Sequence, residues 1–408
     1  MSARPGPDPV LDRFSPATRE WFAGAFDAPT TAQVGAWEAI SDGAHALVVA
    51  PTGSGKTLSA FLWSLDRLAT TPPPAEPLQR TRVLYVSPLK ALAVDVERNL
   101  RAPLVGITQT AKRLGVDAPT ITVGVRSGDT PQQERRAMAT KPPDILITTP
   151  ESLFLMLTSA VRETLAGVET VIVDEVHAVA ATKRGAHLAL SLERLDDLLR
   201  EHDARPAQRI GLSATVRPHE EVARFLGGQA PVTIVAPTST KQWDLSVVVP
   251  VADMTELGTA APVEGSAAGD VERQASIWPH VEERVVDLVY AHRTSIVFAN
   301  SRRLSERLTA RLNEIHTDRV ALLQASPDDV VGASRPPAQI MAQAGATEGA
   351  APTLARSHHG SVSKEQRALI EDDLKSGRIP CVVATSSLEL GIDMGAVDLV
   401  IQVESPPS

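Results

Sequence analysis

The stretch that most constrains the fold is residues 47–57, which read LVVAPTGSGKT. An apolar run ends in a turn with two glycines, and a Lys-Thr pair then begins a segment of helical composition. Glycines allow the backbone to curl so that its N–H groups point at phosphate oxygens, and the helix N-terminus adds partial positive charge. The run opens with Ala50, where the commonest form of this loop has glycine. The pattern predicts a buried strand, a phosphate-binding loop and a helix, with phosphate contacts from Gly53, Ser54, Gly55, Lys56 and Thr57.

Length and composition limit the class of protein. The 408 residues are too many for one ordinary core, so two or three domains are expected. No apolar run reaches the roughly 18 residues that a membrane span needs, and residues 1–11 lack the pattern of a signal peptide. The single cysteine, Cys381, excludes an internal disulfide and lies in an apolar run, where we expect it to be buried. These features predict a cytoplasmic protein without a membrane partner.

The net charge of the chain is −9. A broad basic surface for nucleic acid is therefore not expected. Any binding of nucleic acid is predicted to be confined to a local groove.

Strand-like and helix-like segments alternate along the first half of the chain. Since parallel strands need crossover helices, this alternation predicts an α/β fold with a mostly parallel, doubly wound sheet. Ligands of such sheets bind beyond the carboxyl ends of the strands. Polar clusters follow the predicted strands at residues 82–86, 119–126, 144–147 and 170–173.

The strand at residues 170–173 delivers two adjacent carboxylates, Asp174 and Glu175. Asp174 is predicted to share a Mg²⁺ site with Thr57, and Glu175 to polarise the attacking water as a general base. Together with Lys56 they form the predicted catalytic set. The alternative is an ordinary acidic pair at a strand end.

Gln33 precedes a helical stretch just upstream of the phosphate loop. A side-chain amide both donates and accepts, so it could read an adenine edge. The alternative is a solvated side chain near a helix start.

Six motifs occur in a fixed order: PTTAQ, APTGSGKT, SPLKAL, TTPES, DEVH and SAT, the last at residues 213–215. This order resembles the superfamily 2 DExD/H helicases. The longer segments VSPLKALAVDVERNL, TTPESLFLMLTS and VDEVHAV are similar to the large helicase-related (Lhr) family of bacteria and archaea. The resemblance covers residues 20–405.

The resemblance implies two RecA-like domains that bind ATP with Mg²⁺ and move 3′-to-5′ on single-stranded or tailed-duplex DNA, in connection with DNA repair. Residues 1–12 are expected to form a disordered tail. The resemblance implies a first RecA-like lobe at 13–240 that is the helicase ATP-binding domain, and a connection at 241–276. The second lobe, the helicase C-terminal domain, is placed at 277–408 and expected to be truncated at its C-terminal end. Residues 253–275 have linker composition, and residues 325–352 are expected to form an insertion or mobile loop.

Further site residues are implied by the same resemblance. Ser213 and Thr215 would couple the phosphate site to the rest of the motor. Nucleotide contacts from the second lobe would be Gly391, Ile392 and Asp393. Strand contacts, mainly to phosphates, would be Ser87, Lys90, Arg126, Gly128, Thr148 and Thr149 in the first lobe, and Asn300, Arg302, His359, Thr385 and Ser386 in the second. His358 and His359 have a second interpretation as metal ligands, and we favour the phosphate contact.

The sequence departs from the family at its end, because no QRxGRxGR-like run occurs before Ser408. In the family that run supplies an arginine to the γ-phosphate, so we expect an incomplete motor with doubtful turnover of its own. Three functions stay open: a DNA helicase, an RNA helicase, and a nucleotide-gated nucleic-acid-binding module without turnover.

Overall fold

The computed structural model describes residues 8–51, 53–88, 90–117, 120–214, 216–238, 244–251, 276–324, 353–385, 388 and 397–405, without the side chains of residues 90–95 and 364. The chain divides into two compact units, unit 1 at Met1–Lys241 and unit 2 at Gln242–Ser408. The predicted linker at 253–275 and the predicted insertion at 325–352 lie outside the described residues.

The described strands of unit 1 are β1 His45–Val49, β2 Val83–Val86, β3 Val123–Arg126, β4 Ile145–Thr148, β5 Thr170–Val173, β6 Gln208–Ser213 and β7 Val232–Val235. Strands β1, β2, β4, β5 and β6 are mostly buried, as expected for a sheet covered on both faces, and the edge strands β3 and β7 are half-buried. Within the described part of unit 1 they form one parallel seven-stranded sheet in the order β3-β4-β2-β5-β6-β1-β7.

The helices of unit 1 alternate with these strands. They are α1 Pro16–Ala25, α2 Thr31–Ser41, α3 Lys56–Thr70, α4 Lys90–Arg113, α5 Gln132–Thr140, α6 Pro150–Leu157, α7 Val176–Ala180, α8 Lys183–Glu201 and α9 His219–Gly227, with 3₁₀ helices at Pro9–Arg13, Pro77–Gln79 and Ala160–Leu165. Several begin behind a Ser or Thr whose hydroxyl accepts a backbone N–H of the first turn, which fixes the start of the helix. These caps are Ser15, Thr30, Thr149 and Thr182.

The core of unit 1 lies on both faces of the sheet because successive side chains of a strand point to opposite faces. Along β2, Tyr85 packs in the cluster that contains Phe61 of α3, and Leu84 packs in the cluster that contains Leu192 of α8. The arrangement matches the predicted doubly wound α/β fold.

One local prediction needs correction. Residues 9–12 are not a disordered tail, since Val10 and Leu11 are buried on the 3₁₀ helix Pro9–Arg13. After β7, the described residues 244–249 have no regular structure.

Unit 2 has the same architecture on a smaller scale. Its described strands are β8 Ser295–Phe298, β9 Ala355–His358, β10 Cys381–Ala384 and β11 Leu399–Gln402, and its helices are α10 Trp278–Tyr290, α11 Arg302–Gln324 and α12 Lys364–Lys375. The strands form a parallel sheet in the order β11-β8-β10-β9. Cys381 is fully buried in its core, as predicted.

The two parallel sheets confirm the predicted fold class. Among the described helices, none combines the length and the apolar composition that a membrane crossing requires.

Candidate nucleotide-binding site

The phosphate loop leaves β1 while its first residue is still paired with β6, because Ala50 N donates to Ser213 O at 3.1 Å. Gly53 and Gly55 both have φ near +80°, a conformation that favours glycine. A Cβ on Gly55 would also lie 2.5 Å from Nε2 of Gln33. These two glycines are therefore required by backbone geometry.

The N-terminus of α3 is suited to an anion. Its N-cap residue, Gly55, provides no side-chain cap, so the first N–H groups of the helix have no capping oxygen. Within the described residues, the buried hydroxyl of Ser54 has no hydrogen-bond partner. Free N–H groups, a buried hydroxyl and the helix dipole together fit a phosphate group.

Lys56 lies in the first turn of α3, and its Nζ donates to Ser213 O at 3.2 Å. Burial lowers the pKa of Lys56, and the charges of Glu175 and Asp174 oppose that shift. The predicted lysine and both predicted carboxylates are thus brought into one electrostatic environment at the carboxyl edge of the sheet.

Asp174 follows β5 and is buried, with both carboxylate oxygens engaged. Oδ1 accepts the backbone N–H of Glu175 at 2.9 Å, and Oδ2 accepts the hydroxyl of Tyr85. Burial raises the pKa of Asp174 to about 6. The sequence analysis did not include Tyr85 in the site, and only the pairing of β2 with β5 reveals it.

Glu175 adopts a left-handed backbone conformation, with φ 45° and ψ 48°, immediately before α7. Such a conformation is strained for a residue with a side chain and turns Glu175 away from the course of the strand. Burial raises the pKa of Glu175, and its Oε2 lies 3.4 Å from Nδ1 of His177. A carboxylate with a raised pKa is a better proton acceptor, which suits the predicted role of general base.

Thr57 and Asp174 offer a hydroxyl and a carboxylate, the hard oxygen donors that Mg²⁺ prefers. Among the described residues no group of three or more His, Cys, Asp or Glu side chains could hold an ion. The donor set fits a Mg²⁺ ion that arrives with a nucleotide, because such ions are bound by few protein groups and by phosphate oxygens.

Gln33 lies in α2 and is buried in a reciprocal capping box. Its Oε1 accepts Thr30 N at 2.9 Å, and Thr30 Oγ1 accepts Gln33 N at 3.2 Å. Its Nε2 donates to Gly55 O at 3.5 Å, while Thr30 Oγ1 donates to Ser54 O at 2.9 Å. Gln33 thus supports the phosphate loop here, and its contact with adenine stays a prediction.

Ser213 at the end of β6 joins the lysine to the acidic motif. Its carbonyl accepts Lys56 Nζ, and its hydroxyl lies 3.2 Å from Nδ1 of His177, which also accepts Ala214 N at 3.3 Å. Thr215, its predicted coupling partner, lies outside the described residues. His177 lies in the quoted DEVH motif, and the sequence analysis assigned it no role.

The predicted strand contacts of unit 1 fall at the carboxyl ends of β2, β3 and β4. The hydroxyls of Thr148 and Thr149 are buried: the first donates to Arg126 O at 2.7 Å, and the second caps α6. Ser87 is also buried, and its N donates to Thr148 O at 2.9 Å. These groups hold the loops together in this structure, and their contacts to a strand stay a prediction.

Arg126 and Gly128 differ from the buried hydroxyls. Gly128 is exposed, and its carbonyl accepts Arg135 Nη2 at 2.6 Å. Arg126 is half-buried, and burial lowers the pKa of its guanidinium. The side chain of Lys90 lies outside the described residues. All three stay predicted contacts.

In unit 2, the two histidines are each paired with a glutamate. His358 Nε2 lies 3.0 Å from Glu371 Oε1, and His359 Nε2 lies 3.0 Å from Glu306 Oε1. His359 is 4% exposed in this conformation, and its contact with a phosphate stays a prediction.

The other predicted contacts of unit 2 are more open. Asn300 and Arg302 are exposed, and they donate to Ser405 O and Ser361 Oγ, both at 2.8 Å. Thr385 is half-buried at the end of β10, and its N donates to His358 O at 3.2 Å. Ser386, Gly391, Ile392 and Asp393 lie outside the described residues.

Comparison with known proteins gives matches along the chain. The DEAD/DEAH box helicase model matches residues 30–224, and the helicase conserved C-terminal domain model matches residues 342–408. The Lhr helicase/probable uracil glycosylase of Mycolicibacterium smegmatis is 69% identical over 404 residues, which cover 99% of this chain and 25% of that protein. The Lhr helicase/uracil glycosylase of Escherichia coli is 55% identical over 415 residues, which cover 100% of this chain and 26% of that protein.

A solved structure of Mycobacterium smegmatis helicase Lhr bound to ssDNA and AMP-PNP superimposes with a TM-score of 0.74 at 65% identity, covering 98% of this chain and 45% of that one. The chain thus spans about a quarter of the length of the two curated bacterial relatives. These matches confirm the family resemblance that the six motifs predicted.

Proposed function

Because the chain belongs to the Lhr family of DEAD/DEAH-box helicases, we propose that it carries the ATP-hydrolysing motor of a helicase that moves on single-stranded DNA. The solved structure of the relative bound to ssDNA and AMP-PNP supports single-stranded DNA and ATP as the ligands of this chain. The family resemblance also supports movement in the 3′-to-5′ direction and a role in DNA repair. The composition of the chain supports action in the cytoplasm, and the proposal includes all three.

One observation carries the proposal most directly. Lys56 from the phosphate loop donates to Ser213 at the end of β6, and the carboxylates of Asp174 and Glu175 act on its charge. A cation, an acidic pair and an uncapped helix N-terminus meet at the edge of the sheet where ligands of α/β proteins bind. This set matches the parts that phosphoryl transfer requires.

The proposed division of labour follows from these positions. The N–H groups of the loop and the ammonium of Lys56 would bind the phosphates of ATP. Thr57 and Asp174 would hold Mg²⁺, which when bound neutralises charge on the β- and γ-phosphates. Glu175 would orient the attacking water and accept its proton.

We further propose that residues 13–240 act as the ATP-binding domain, that 241–276 form a connection, and that 277–408 act as the helicase C-terminal domain. Contacts to the strand would be made mainly to phosphates, which gives little sequence preference and a strong dependence on salt. All the predicted strand contacts stay in this proposal: Ser87, Lys90, Arg126, Gly128, Thr148 and Thr149 of unit 1, and Asn300, Arg302, His359, Thr385 and Ser386 of unit 2.

The test is steady-state ATP hydrolysis with Mg²⁺, measured without nucleic acid, with single-stranded DNA and with single-stranded RNA. Wild-type chain is compared with Glu175→Gln and with Glu220→Gln, an exposed residue in the first turn of α9. We expect DNA to stimulate turnover, Glu175→Gln to lower it by about 100-fold or more, and Glu220→Gln to leave it unchanged.

Each alternative predicts a different result. Stimulation by RNA alone would replace the DNA assignment with an RNA helicase. Nucleotide-dependent DNA binding without turnover would favour the binding module. Full activity of Glu175→Gln would remove Glu175 from the catalytic set.

A further inference from the structure

Tyr85 lies in the middle of β2, is fully buried, and is not among the residues assigned to the nucleotide site above. Its hydroxyl donates to Oδ2 of Asp174. The other carboxylate oxygen, Oδ1, accepts the N–H of Glu175 at 2.9 Å. With one donor on each oxygen, the plane of the Asp174 carboxylate is fixed by the protein itself.

The register of the sheet explains how Tyr85 reaches Asp174. Tyr85 lies opposite Ile172 in the parallel pair of β2 and β5. Asp174 is two residues further along, so its side chain is on the same face as Ile172 and Tyr85. Diagonal neighbours of this kind are within reach of a long aromatic side chain, and only tyrosine adds a donor at the far end.

The ring of Tyr85 is held from the other side by the helix that carries Lys56 and Thr57. It stacks on Phe61 of α3 with ring centroids 5.2 Å apart and planes inclined by 24°. Phe61 and Tyr85 are both 0% exposed. One side chain therefore contacts the phosphate-loop helix with its ring and the acidic motif with its hydroxyl.

We propose that Tyr85 is a positioning residue for Asp174, with its hydroxyl setting the orientation in which that carboxylate receives the Mg²⁺ of bound nucleotide. This inference rests on the proposed function, since it assumes Mg²⁺·ATP as the ligand. Hydrogen bonds to ligating carboxylates orient them, and their removal typically weakens metal binding or activity by about 10- to 100-fold. If Tyr85 only filled the core, its replacement by phenylalanine would leave metal binding unchanged, because phenylalanine fills nearly the same volume.

The test is Tyr85→Phe, which keeps the ring on Phe61 and removes the hydroxyl. The matched control is Tyr290→Phe, since the chain has two tyrosines and Tyr290 is exposed on α10, with its hydroxyl 2.6 Å from His316 Nδ1. Equilibrium binding of a fluorescent, non-hydrolysable ATP analogue is measured at graded Mg²⁺ and in EDTA. Thermal unfolding of each variant is recorded alongside.

We expect Tyr85→Phe to raise the Mg²⁺ concentration for half-maximal nucleotide binding by about tenfold. Binding in EDTA stays at the wild-type level, and Tyr290→Phe matches wild type in both measurements. In a double-variant cycle, Tyr85→Phe adds nothing to Asp174→Asn, because the hydroxyl acts through that carboxylate.

Two results would overturn the inference. One is an unchanged Mg²⁺ dependence in folded Tyr85→Phe. The other is an equal loss of nucleotide binding with and without Mg²⁺, which would assign Tyr85 to the phosphate loop or to general packing. If wild-type chain itself shows no Mg²⁺-dependent nucleotide binding, the proposed function fails, which is a separate outcome.

Discussion

Nδ1 of His177 lies 3.2 Å from the hydroxyl oxygen of Ser213, so the acidic motif at the end of β5 contacts the end of β6 directly. The carbonyl of the same serine accepts Lys56 Nζ. The two oxygens of Ser213 therefore have different partners. The carbonyl oxygen contacts the lysine of the phosphate loop, and the hydroxyl oxygen contacts His177 of α7.

Ser213→Ala tests this difference because it removes the hydroxyl and keeps the carbonyl. We expect ATP hydrolysis to be largely retained and unwinding of a tailed DNA duplex to fall by about fivefold, since one hydrogen bond of about 1 kcal/mol links the two strand ends. Both rates are measured on the same preparations. Ser191→Ala is the control, because it removes a buried serine hydroxyl that donates to His187 O inside α8. A proportional loss of both rates in Ser213→Ala would contradict a coupling role.

The sequence alone could predict the parts of the site that are local in the chain. The phosphate loop is one continuous stretch, and its glycines, lysine and helix start follow from backbone geometry at Gly53 and Gly55. The parallel sheet was also predictable, because strands buried on both faces are nearly all apolar. Asp174 and Glu175 could be placed since a strand end precedes them directly.

The parts of the site that the sequence analysis did not contain depend on tertiary pairing. Tyr85 reaches Asp174 only because β2 is the neighbour of β5, an order that periodicity does not contain. Thr148 and His359 have the residue types expected of phosphate contacts, but their polar atoms pair with Arg126 O and with Glu306. The prediction of a disordered tail was wrong at residues 9–12, because the apolar side chains of Val10 and Leu11 pack in the core.

Arg184 in the first turn of α8 ties together the two loops that follow β2 and β4. Its Nη1 donates to Pro88 O at 2.5 Å, and its guanidinium binds both carboxylate oxygens of Glu151, one of them at 3.0 Å. The same hydrogen bonds lower the pKa of Glu151. These loops carry the predicted contacts to the DNA strand in unit 1, so their relative position depends on this arginine.

Arg184→Met is therefore expected to weaken binding of single-stranded DNA by about fivefold, which corresponds to about 1 kcal/mol for a partly exposed charged group. Fluorescence anisotropy at fixed salt measures the Kd. The control is Arg200→Met on the same helix, whose partner Asp197 lies at 3.3 Å on the surface. Equal Kd values for the two variants would show that Arg184 does not position the loops.

A buried ion pair supports the other end of the sheet in unit 1. Arg209 Nη2 lies 2.6 Å from Asp196 Oδ2, with side chains 4% and 9% exposed, and Asp196 Oδ1 accepts Ala207 N at 3.1 Å. Asp196→Ala would remove one of the two carboxylates at Arg209 Nη2, leaving Glu193 Oε1 at 2.9 Å, and would also remove the acceptor of Ala207 N. We expect a loss of about 2 kcal/mol in the free energy of unfolding, because a buried charge and a buried backbone N–H each lose a partner.

Urea denaturation of the wild-type and variant chains measures that loss. Glu221→Ala is the comparison, because it breaks the exposed pair with Arg224 at 3.3 Å and should cost less than about 1 kcal/mol. Similar values for the two variants would mean that the buried pair adds nothing beyond an ordinary surface pair.

The reactivity of Cys381 at different pH values reports on the packing of unit 2, because Cys381 is the single cysteine of the chain and is fully buried in β10. Burial raises the pKa of its thiol to about 12. The unfolded chain releases this proton near pH ~8.5, whereas the folded chain keeps it, so folding binds a proton in between. The stability from this group is fully present below pH ~8.5 and is lost as pH rises toward the folded pKa, by about 1.4 kcal/mol per pH unit.

We therefore expect the thiol of the folded protein to react slowly with a disulfide reagent from pH 7 to 9, and quickly only in denaturant. The contrary result would be a reaction of the folded chain at the rate of a free thiol, rising about tenfold per pH unit up to pH ~8.5. Such a result would mean that β10 opens readily and that unit 2 is less tightly packed than its core indicates.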